Sequence, residues 1–407
     1  MIFEGYQKCR SGVFKVPRWS TRWAVIVTGD SLVEEFHKLP DDICSLEEAA
    51  KEEMQVPHTM GHQIYSNPYH LSVLRANLNR HTDHLVVEIL DEVTVAVDDV
   101  IGQHCTDDWA EFNVNEHVTK LVPRIFNRVL VGAPLCRNAK FNELGCRFSL
   151  RVYVTSVVIN LFPGCFRNII GGILGQAVSF QMEAARYLQP LIEERMEMMG
   201  SSGSYWVDKP NDFLIWLLDE FKNTNFNSAD IQSRILTANS ATTYTSSYTF
   251  MQALLNMASR QECIERCTME VEECIRCHGW TRNGIDSLAS LDSFFKESIR
   301  VNGLASMKPF ILADGTRLET GSFVSASFAA HFDDEYYPNA KTFDAFRFPG
   351  RFLVAYALKA LMAHVLLHYD LKIGGDGSRK PDYWFSYHCT PSASATYAHP
   401  LLTSAPY

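Results

Sequence analysis

The sequence has little positive charge for its length and no long apolar run. The 37 Lys and Arg residues are outnumbered by 47 Asp and Glu residues, giving a formal net charge of −10. Because nucleic-acid-binding surfaces are basic, we expect no nucleic-acid partner. The most apolar stretch, residues 152–178, is interrupted by Asn160, Pro163 and Arg167. A membrane-spanning helix needs about 20 nearly uninterrupted apolar residues, so we predict no membrane span in this chain.

Common phosphate-binding and hydrolase motifs are also missing. The sequence has no Gly-rich phosphate loop before a helix and no Gly-x-Ser-x-Gly elbow, which argues against P-loop nucleotide chemistry and against α/β-hydrolase chemistry. Its 11 Cys residues are an odd number, so they cannot all pair as disulfides. A reducing, intracellular compartment is therefore favoured.

The composition and the spacing of apolar residues predict a folded, mostly helical protein. Hydrophobic residues make up 46% of the chain and aromatic residues 12%, and apolar positions recur at three- and four-residue spacing, which predicts helices. We predict helices at 71–100 (one or two), 111–130, 184–199, 211–223, 228–257, 261–278, 285–300 and 352–366. Strands are expected at 23–28 and around Asp314-Gly315, a flexible loop at 199–204, and a loose Ser/Pro-rich tail. The prediction is a mainly α fold with small β-sheets (α+β), in one domain over residues 1–407.

Three motifs follow one another along the second half of the chain. Thr237-Ala-Asn-Ser-Ala-Thr-Thr243 interrupts a helical pattern with small and hydroxyl residues. Glu297-Ser-Ile-Arg300 lies in a later helix, where a spacing of three residues puts carboxylate and guanidinium on one face. Alone, such a pair is usually a solvated surface bridge. The segment 331–348 comes next, and Pro349-Gly-Arg-Phe then opens a long apolar helix.

This order of motifs resembles the cytochrome P-450 superfamily of haem-thiolate monooxygenases, and its fungal branch in particular. The run Asp292-Ser-Phe-Phe-Lys-Glu-Ser-Ile-Arg300 is similar to fungal members throughout. The resemblance covers nearly the whole chain. It implies a haem cofactor, a lipophilic small-molecule substrate, and electrons from NADPH through a membrane reductase. It also implies that Glu297, Arg300 and Arg347 form a scaffold beside the haem. Family members are usually anchored to the endoplasmic reticulum. Gly5-Tyr6 resembles the region just after that anchor, so we expect the anchor to be absent here.

Within this resemblance, Thr242 takes the place of a threonine that helps to deliver protons to bound dioxygen. The acidic residue that precedes it in the family is replaced by Ala241. The alternative reading is that the Thr242 hydroxyl bonds back to its own helix. Substrate contacts are expected from Ile64–Leu78, from Phe162–Phe180 and from the helix that carries Thr242.

The resemblance also exposes a gap at the iron ligand. The family places its ligating Cys in a loop that ends in Cys-Pro-Gly-Arg-Phe, but here Phe348 is followed at once by Pro349. No Cys lies between Cys277 and Cys389. We therefore predict that the proximal Cys loop is missing, that this chain does not hold haem through a thiolate, and that it is inactive as written. The alternative is an active monooxygenase whose Cys-bearing segment is lost only from this gene model or transcript.

The remaining candidates are weaker. Under the resemblance, the candidates that would bind the haem propionates are Arg75, Arg80 and His81. Lys308 is the candidate to replace an Arg that the family contributes from a strand and that this sequence lacks. We predict no metal site of another kind. The cysteines of segment 263–277 are too widely spaced on one helix to converge on a zinc ion, and they read as buried thiols. The pair His364 and His368 has i, i+4 spacing without an acidic third ligand nearby except Asp370, which favours helix packing.

Overall fold

The chain folds mainly into helices. The structure, a computed structural model, describes residues 1–17, 23–39, 46–102, 109–175, 177–202, 206–220, 227–302, 307–308, 323–348, 356–385 and 388–399. The helices in these ranges are α1 (Ile2–Lys8), α2 (Asp30–Lys38), α3 (Leu46–Met54), α4 (Val56–Thr59), α5 (His62–Ser66), α6 (Tyr69–Val100), α7 (Val114–Val131), α8 (Ala139–Asn160), α9 (Gly164–Leu174), α10 (Ala177–Ser202), α11 (Phe213–Glu220), α12 (Ser228–Ala258), α13 (Gln261–His278), α14 (Arg282–Asp286), α15 (Ala289–Asn302) and α16 (Tyr356–His368). Short 3-10 helices occur at Leu135–Arg137 and Phe328–Phe332.

The strands form small sheets beside the helices. They are β1 (Gly12–Pro17), β2 (Trp23–Thr28), β3 (Ala110–Asn113), β4 (Met307–Lys308), β5 (Phe323–Ala326), β6 (Lys372–Ile373), β7 (Tyr383–Phe385), β8 (His388–Thr390) and β9 (Thr396–His399). One sheet has the order β1-β2-β5-β4, in which only β2 and β5 are parallel. A second has the antiparallel order β3-β9-β6, and β7 pairs with β8. The predicted mainly α fold with small β-sheets is confirmed.

Local sequence signals fix several helix ends. The side chains of Asn113, Asn138 and Asn227 each accept a hydrogen bond from a backbone N–H in the first turn of α7, α8 and α12, as N-cap residues do. Gly132 and Gly279 follow α7 and α13 with φ of 69° and 65°, a conformation that glycine adopts without steric cost.

The main apolar core is built around α12. This helix packs against α7, α8, α10 and α15, while α16 packs against α6 and α13. Residues 357–367 of α16 are all buried, which matches an apolar pattern on every side of that helix.

The structure corrects several boundaries expected from the sequence. The helix expected to end at Gly200 continues to Ser202, since one glycine costs a helix only about 1 kcal/mol. The expected helix 285–300 is two helices, α14 and α15, and α8 and α9 occupy the apolar region that had no assigned element. The described part of the tail, up to residue 399, is not loose, because β9 lies between β3 and β6 and buries Tyr397 to 1% exposure. The turn at Asp314-Gly315 lies outside the described residues.

No helix in the described ranges combines the length and the apolar character that crossing a membrane requires.

Candidate functional site

Helix α15 places a buried carboxylate at the centre of the candidate site. Glu297 is 0% exposed and Arg300, three residues later on the same face, is 4% exposed. The Arg300 guanidinium donates from Nε and Nη2 to the two Glu297 carboxylate oxygens, each at 2.7 Å. This two-pronged geometry holds both groups in one orientation and partly offsets the cost of burying their charges.

Arg347 joins the same carboxylate from the segment 331–348. Its Nε lies 3.4 Å from Glu297 Oε2, and its Nη1 donates to the Pro338 carbonyl at 2.6 Å. The backbone N–H of Asp344 donates to Glu297 Oε1 at 2.9 Å, and Arg300 donates to the His331 carbonyl. One carboxylate therefore ties the irregular segment 331–348 to α15.

The first half of α15 also holds the chain on both sides of the junction at 348–349. On one side, the Phe348 backbone N–H donates to Ser293 Oγ at 3.1 Å. On the other side, the Lys359 ammonium of α16 lies 3.0 Å from Asp292 Oδ1 and donates to the Ile285 carbonyl at 2.8 Å. Asp292 and Ser293 are neighbours in sequence, so the two flanks of the junction are attached at almost the same place. Residues 349–355, where the missing loop is expected, lie outside the described residues.

Helix α12 runs unbroken through the region of Thr242. The Thr242 hydroxyl lies 2.9 Å from the Ala238 carbonyl and 3.2 Å from the Asn239 carbonyl. It therefore bonds back to its own helix, as the alternative reading of the sequence holds. Ala241 beside it is exposed. Among the described residues, no recorded contact joins Thr242 to Glu297.

A buried chain of amides supports α12 one turn before Thr243 and was not found from the sequence. Asn239 Nδ2 donates to Asn127 Oδ1 at 2.6 Å, and Asn127 Nδ2 donates to Asn142 Oδ1 at 2.7 Å. Thr243 Oγ1 lies 3.3 Å from Asn239 Oδ1. The close approach of α8 to Asn239 requires glycine at position 145, because a Cβ added there would lie 2.1 Å from Asn239 Oδ1. In the sequence, these residues are recognisable only as asparagines within apolar helices. That pattern does not show which asparagine contacts which.

The family model described as cytochrome P450 matches residues 1–353. The chain belongs to the cytochrome P450 family. The resemblance drawn from the motif order is thereby confirmed, and membership implies a haem cofactor and a reductase partner for the family.

Fungal proteins are among the relatives of this cytochrome P450 chain. It is 33% identical to cytochrome P450 monooxygenase 151 of Postia placenta, over 97% of this chain and 87% of the relative. It is 30% identical to cytochrome P450 monooxygenase CYP512U6 of Ganoderma lucidum, over 94% of this chain and 82% of the relative. The Postia alignment spans 437 positions, more than the 407 residues of this chain. That relative therefore has residues inside the aligned region with no counterpart here.

Three buried cysteines among the described residues bear on haem ligation. Burial raises the pKa of Cys136 to about 12 and that of Cys263 to about 11, and it also raises the pKa of Cys267. These groups are thiols near neutral pH, whereas the cytochrome P450 ligand is a thiolate. Cys389 lies in β8, in register with Trp384 of β7.

The weaker candidates are spread over the molecule. Arg75 and Arg80 are exposed on α6, and the His81 ring stacks on Trp216 with centroids 5.8 Å apart. Lys308 lies in β4, where it is in register with Val324. Nothing in the described residues brings these cations to one place.

The two histidines of α16 pack on each other. The His364 and His368 rings stack with centroids 4.2 Å apart, and burial lowers the pKa of His364 to about 3. Within the described ranges, no three His, Cys, Asp or Glu residues cluster closely enough to hold a metal ion.

Proposed function

We propose that this fold is that of a fungal haem-thiolate monooxygenase which hydroxylates a lipophilic small molecule, and that the 407-residue chain lacks competent haem ligation and is inactive as written. One observation carries the proposal. Phe348 is followed directly by Pro349, and the sequence holds no Cys between Cys277 and Cys389.

The chemistry explains why this gap is decisive. When bound, the family's haem supplies iron that activates dioxygen, and the Cys thiolate pushes electron density toward the iron so that the O–O bond can break. Electrons reach the iron from NADPH through a reductase. A chain with no thiolate at that position lacks this electron donation.

The contacts of α15 support the same proposal. Phe348 and Lys359, which lie on either side of the junction, are both attached to the first half of α15. A short connection between them is therefore compatible with the packing of α15 and α16. The residues of the Postia relative that have no counterpart here agree with an internal deletion.

The named residues take their roles from the intact family site. In that reading Thr242 serves proton delivery, and Glu297, Arg300 and Arg347 hold the scaffold beside the haem. To serve proton delivery, Thr242 would have to turn its hydroxyl away from the Ala238 carbonyl. The Glu297 cluster needs no such change, because its contacts are already made.

The second candidate is an active monooxygenase whose Cys-bearing segment is lost only from this gene model or transcript. The intact contacts of Glu297 favour it, because a decayed copy has no selective reason to retain a buried ion pair. Sequencing the source transcript across Phe348–Pro349 distinguishes the two, since an intervening Cys codon restores the enzyme.

A carbon monoxide spectrum of the reduced protein tests the proposal directly. The 407-residue chain, loaded with haem, is expected to give no thiolate-type Soret band. A variant carrying an inserted loop whose Cys directly precedes Pro349 is expected to give one, and the same insert with Ser in place of that Cys is the matched control. A thiolate-type band from the chain without an insert would refute the proposal.

A further inference from the structure

A buried guanidinium of α12 contacts the junction between α5 and α6. Arg234 is 1% exposed, and its Nη1 donates to the Asn67 carbonyl, just after α5, at 2.8 Å. The same Nη1 lies 2.8 Å from His70 Nδ1. The guanidinium also lies 3.8 Å over the Tyr69 ring. One side chain therefore contacts the end of α5 and the first turn of α6 together.

The contact with Arg234 determines the protonation state of the His70 ring. A guanidinium carries only N–H donors, so His70 Nδ1 is the acceptor and the proton of the neutral ring lies on Nε2. A proton on Nδ1 would remove this acceptor and would place a second positive charge 2.8 Å from Arg234 Nη1. Because His70 is only 4% exposed, water would screen this repulsion weakly.

The surroundings of His70 disfavour its protonated form. Burial is the main cause that lowers its pKa from 6.5 to about 4, and the Arg234 charge lowers the pKa further. Asp230 of α12 has the opposite effect, but both its carboxylate oxygens already accept from Arg234, at 2.8 and 3.0 Å. The neighbouring Tyr69 hydroxyl donates to Asp230 at 2.9 Å and stays un-ionised, because burial raises its pKa. On α5, the titratable His62 is exposed.

The junction itself has little buried surface. Of residues 62–69, only Ile64 is buried. Gln63 adds one long contact with α12, 3.5 Å from its Nε2 to Ser233 Oγ. A segment with few buried residues opens locally at a lower free energy than the core does. The contacts with Arg234 are therefore a large part of what keeps this segment on α12.

We propose that His70 and Arg234 form a pH-sensitive latch, which holds the α5–α6 junction on α12 near neutral pH and releases it in mildly acidic solution. In the released state the His70 ring meets water and takes up a proton at its ordinary pKa of about 6.5. In the closed state the ring stays neutral until the pH approaches its lowered pKa of about 4. Acid therefore favours the released state increasingly as the pH falls from 6.5 to 4.

Hydrogen–deuterium exchange of the full 407-residue chain, read by mass spectrometry at pH 7 and pH 5, tests the latch. Exchange is expressed as a protection factor, which removes the effect of pH on the chemical exchange rate. We expect the protection factors of residues 71–73, in the first turns of α6, to fall about 20-fold from pH 7 to pH 5. They should also stay below those of α13 at pH 5, because the opening is local. No fall, or protection equal to that of α13, would overturn the proposal.

Two variants assign the fall to His70. The side-chain carbonyl of His70→Asn can still accept from Arg234 and takes up no proton, so we expect its protection factors at residues 71–73 to change at most about twofold. His84→Asn replaces an exposed histidine of α6 and is the matched control, expected to keep the full fall. Circular dichroism at both pH values checks each fold. A full fall in folded His70→Asn would also overturn the latch. The measurement needs no haem, so its outcome is independent of the carbon monoxide spectrum.

Discussion

At the residue scale, two Glu–Arg pairs with identical spacing have opposite surroundings. Glu297 and Arg300 are buried, with side chains 0% and 2% exposed. Glu273 and Arg276, also three residues apart, are each 59% exposed. A buried carboxylate with three partners depends on them for its stability, whereas an exposed pair is largely replaced by water.

Glu297→Gln is therefore expected to lower the free energy of unfolding by about 3–5 kcal/mol, since Arg300 and Arg347 would stay buried without a counter-charge. Urea denaturation measures this loss. Glu273→Gln is the matched control and is expected to change stability by less than about 1 kcal/mol. Equal effects of the two substitutions would contradict the role given to burial.

The buried His70 makes stability depend on pH. Burial, with a smaller effect of the Arg234 charge, lowers its pKa from 6.5 to about 4. As pH falls below 6.5 the unfolded chain takes up the proton first, so stability is lost between about pH 6.5 and pH 4. We expect His70 to account for about 2 kcal/mol of loss between pH 7 and pH 5. Urea denaturation of the native chain and of the His70→Asn variant, each at pH 7 and at pH 5, isolates the contribution of His70 to this loss of stability. A pH dependence unchanged in His70→Asn would contradict it.

At the element scale, α15 is the helix on which the irregular part of the chain depends. It holds segment 331–348 through Glu297 and α16 through Asp292, which is 1% exposed. The Glu297–Arg300 contact was foreseeable, because both residues lie on one helix. The Asp292–Lys359 contact was not foreseeable, because 67 positions separate the two residues. The sequence around each of them also looks like that around a charged residue on the surface.

Lys359→Met is expected to cost about 3–5 kcal/mol, because it leaves the Asp292 carboxylate buried without a cation. The double variant Asp292→Leu/Lys359→Met is expected to recover most of that loss, since apolar replacement of a buried pair is often neutral. Both are measured by urea denaturation. A double variant less stable than Lys359→Met would contradict this expectation. It would show that the ion pair contributes more stability than is needed to offset the burial of its two charges.

At the scale of the whole molecule, haem and folding should be uncoupled. A ligand that binds only the folded state raises its stability, so added haemin is expected to leave the thermal midpoint of the 407-residue chain unchanged. The variant with a Cys directly before Pro349 is expected to gain stability with haemin. Differential scanning calorimetry measures both. A rise in the midpoint of the chain without the insert would mean that haem binds through another ligand.

The sequence alone determined what depends on neighbours along the chain. Apolar spacing predicted helix 261–278 as α13 and nearly all of α12, and the order of motifs around Glu297 predicted the family. The same order predicted that the ligating Cys is missing between Phe348 and Pro349, because that prediction rests only on which residues follow one another.

Only the tertiary structure decided what depends on distant residues. It paired Lys359 with Asp292, placed β9 between β3 and β6, linked Asn239 to Asn127, and packed Asn67 and Tyr69 against the buried Arg234. The physical reason is common to all four. A charge, an amide or a strand has the same local pattern whether it meets water or a partner, and only packing settles which of the two it meets.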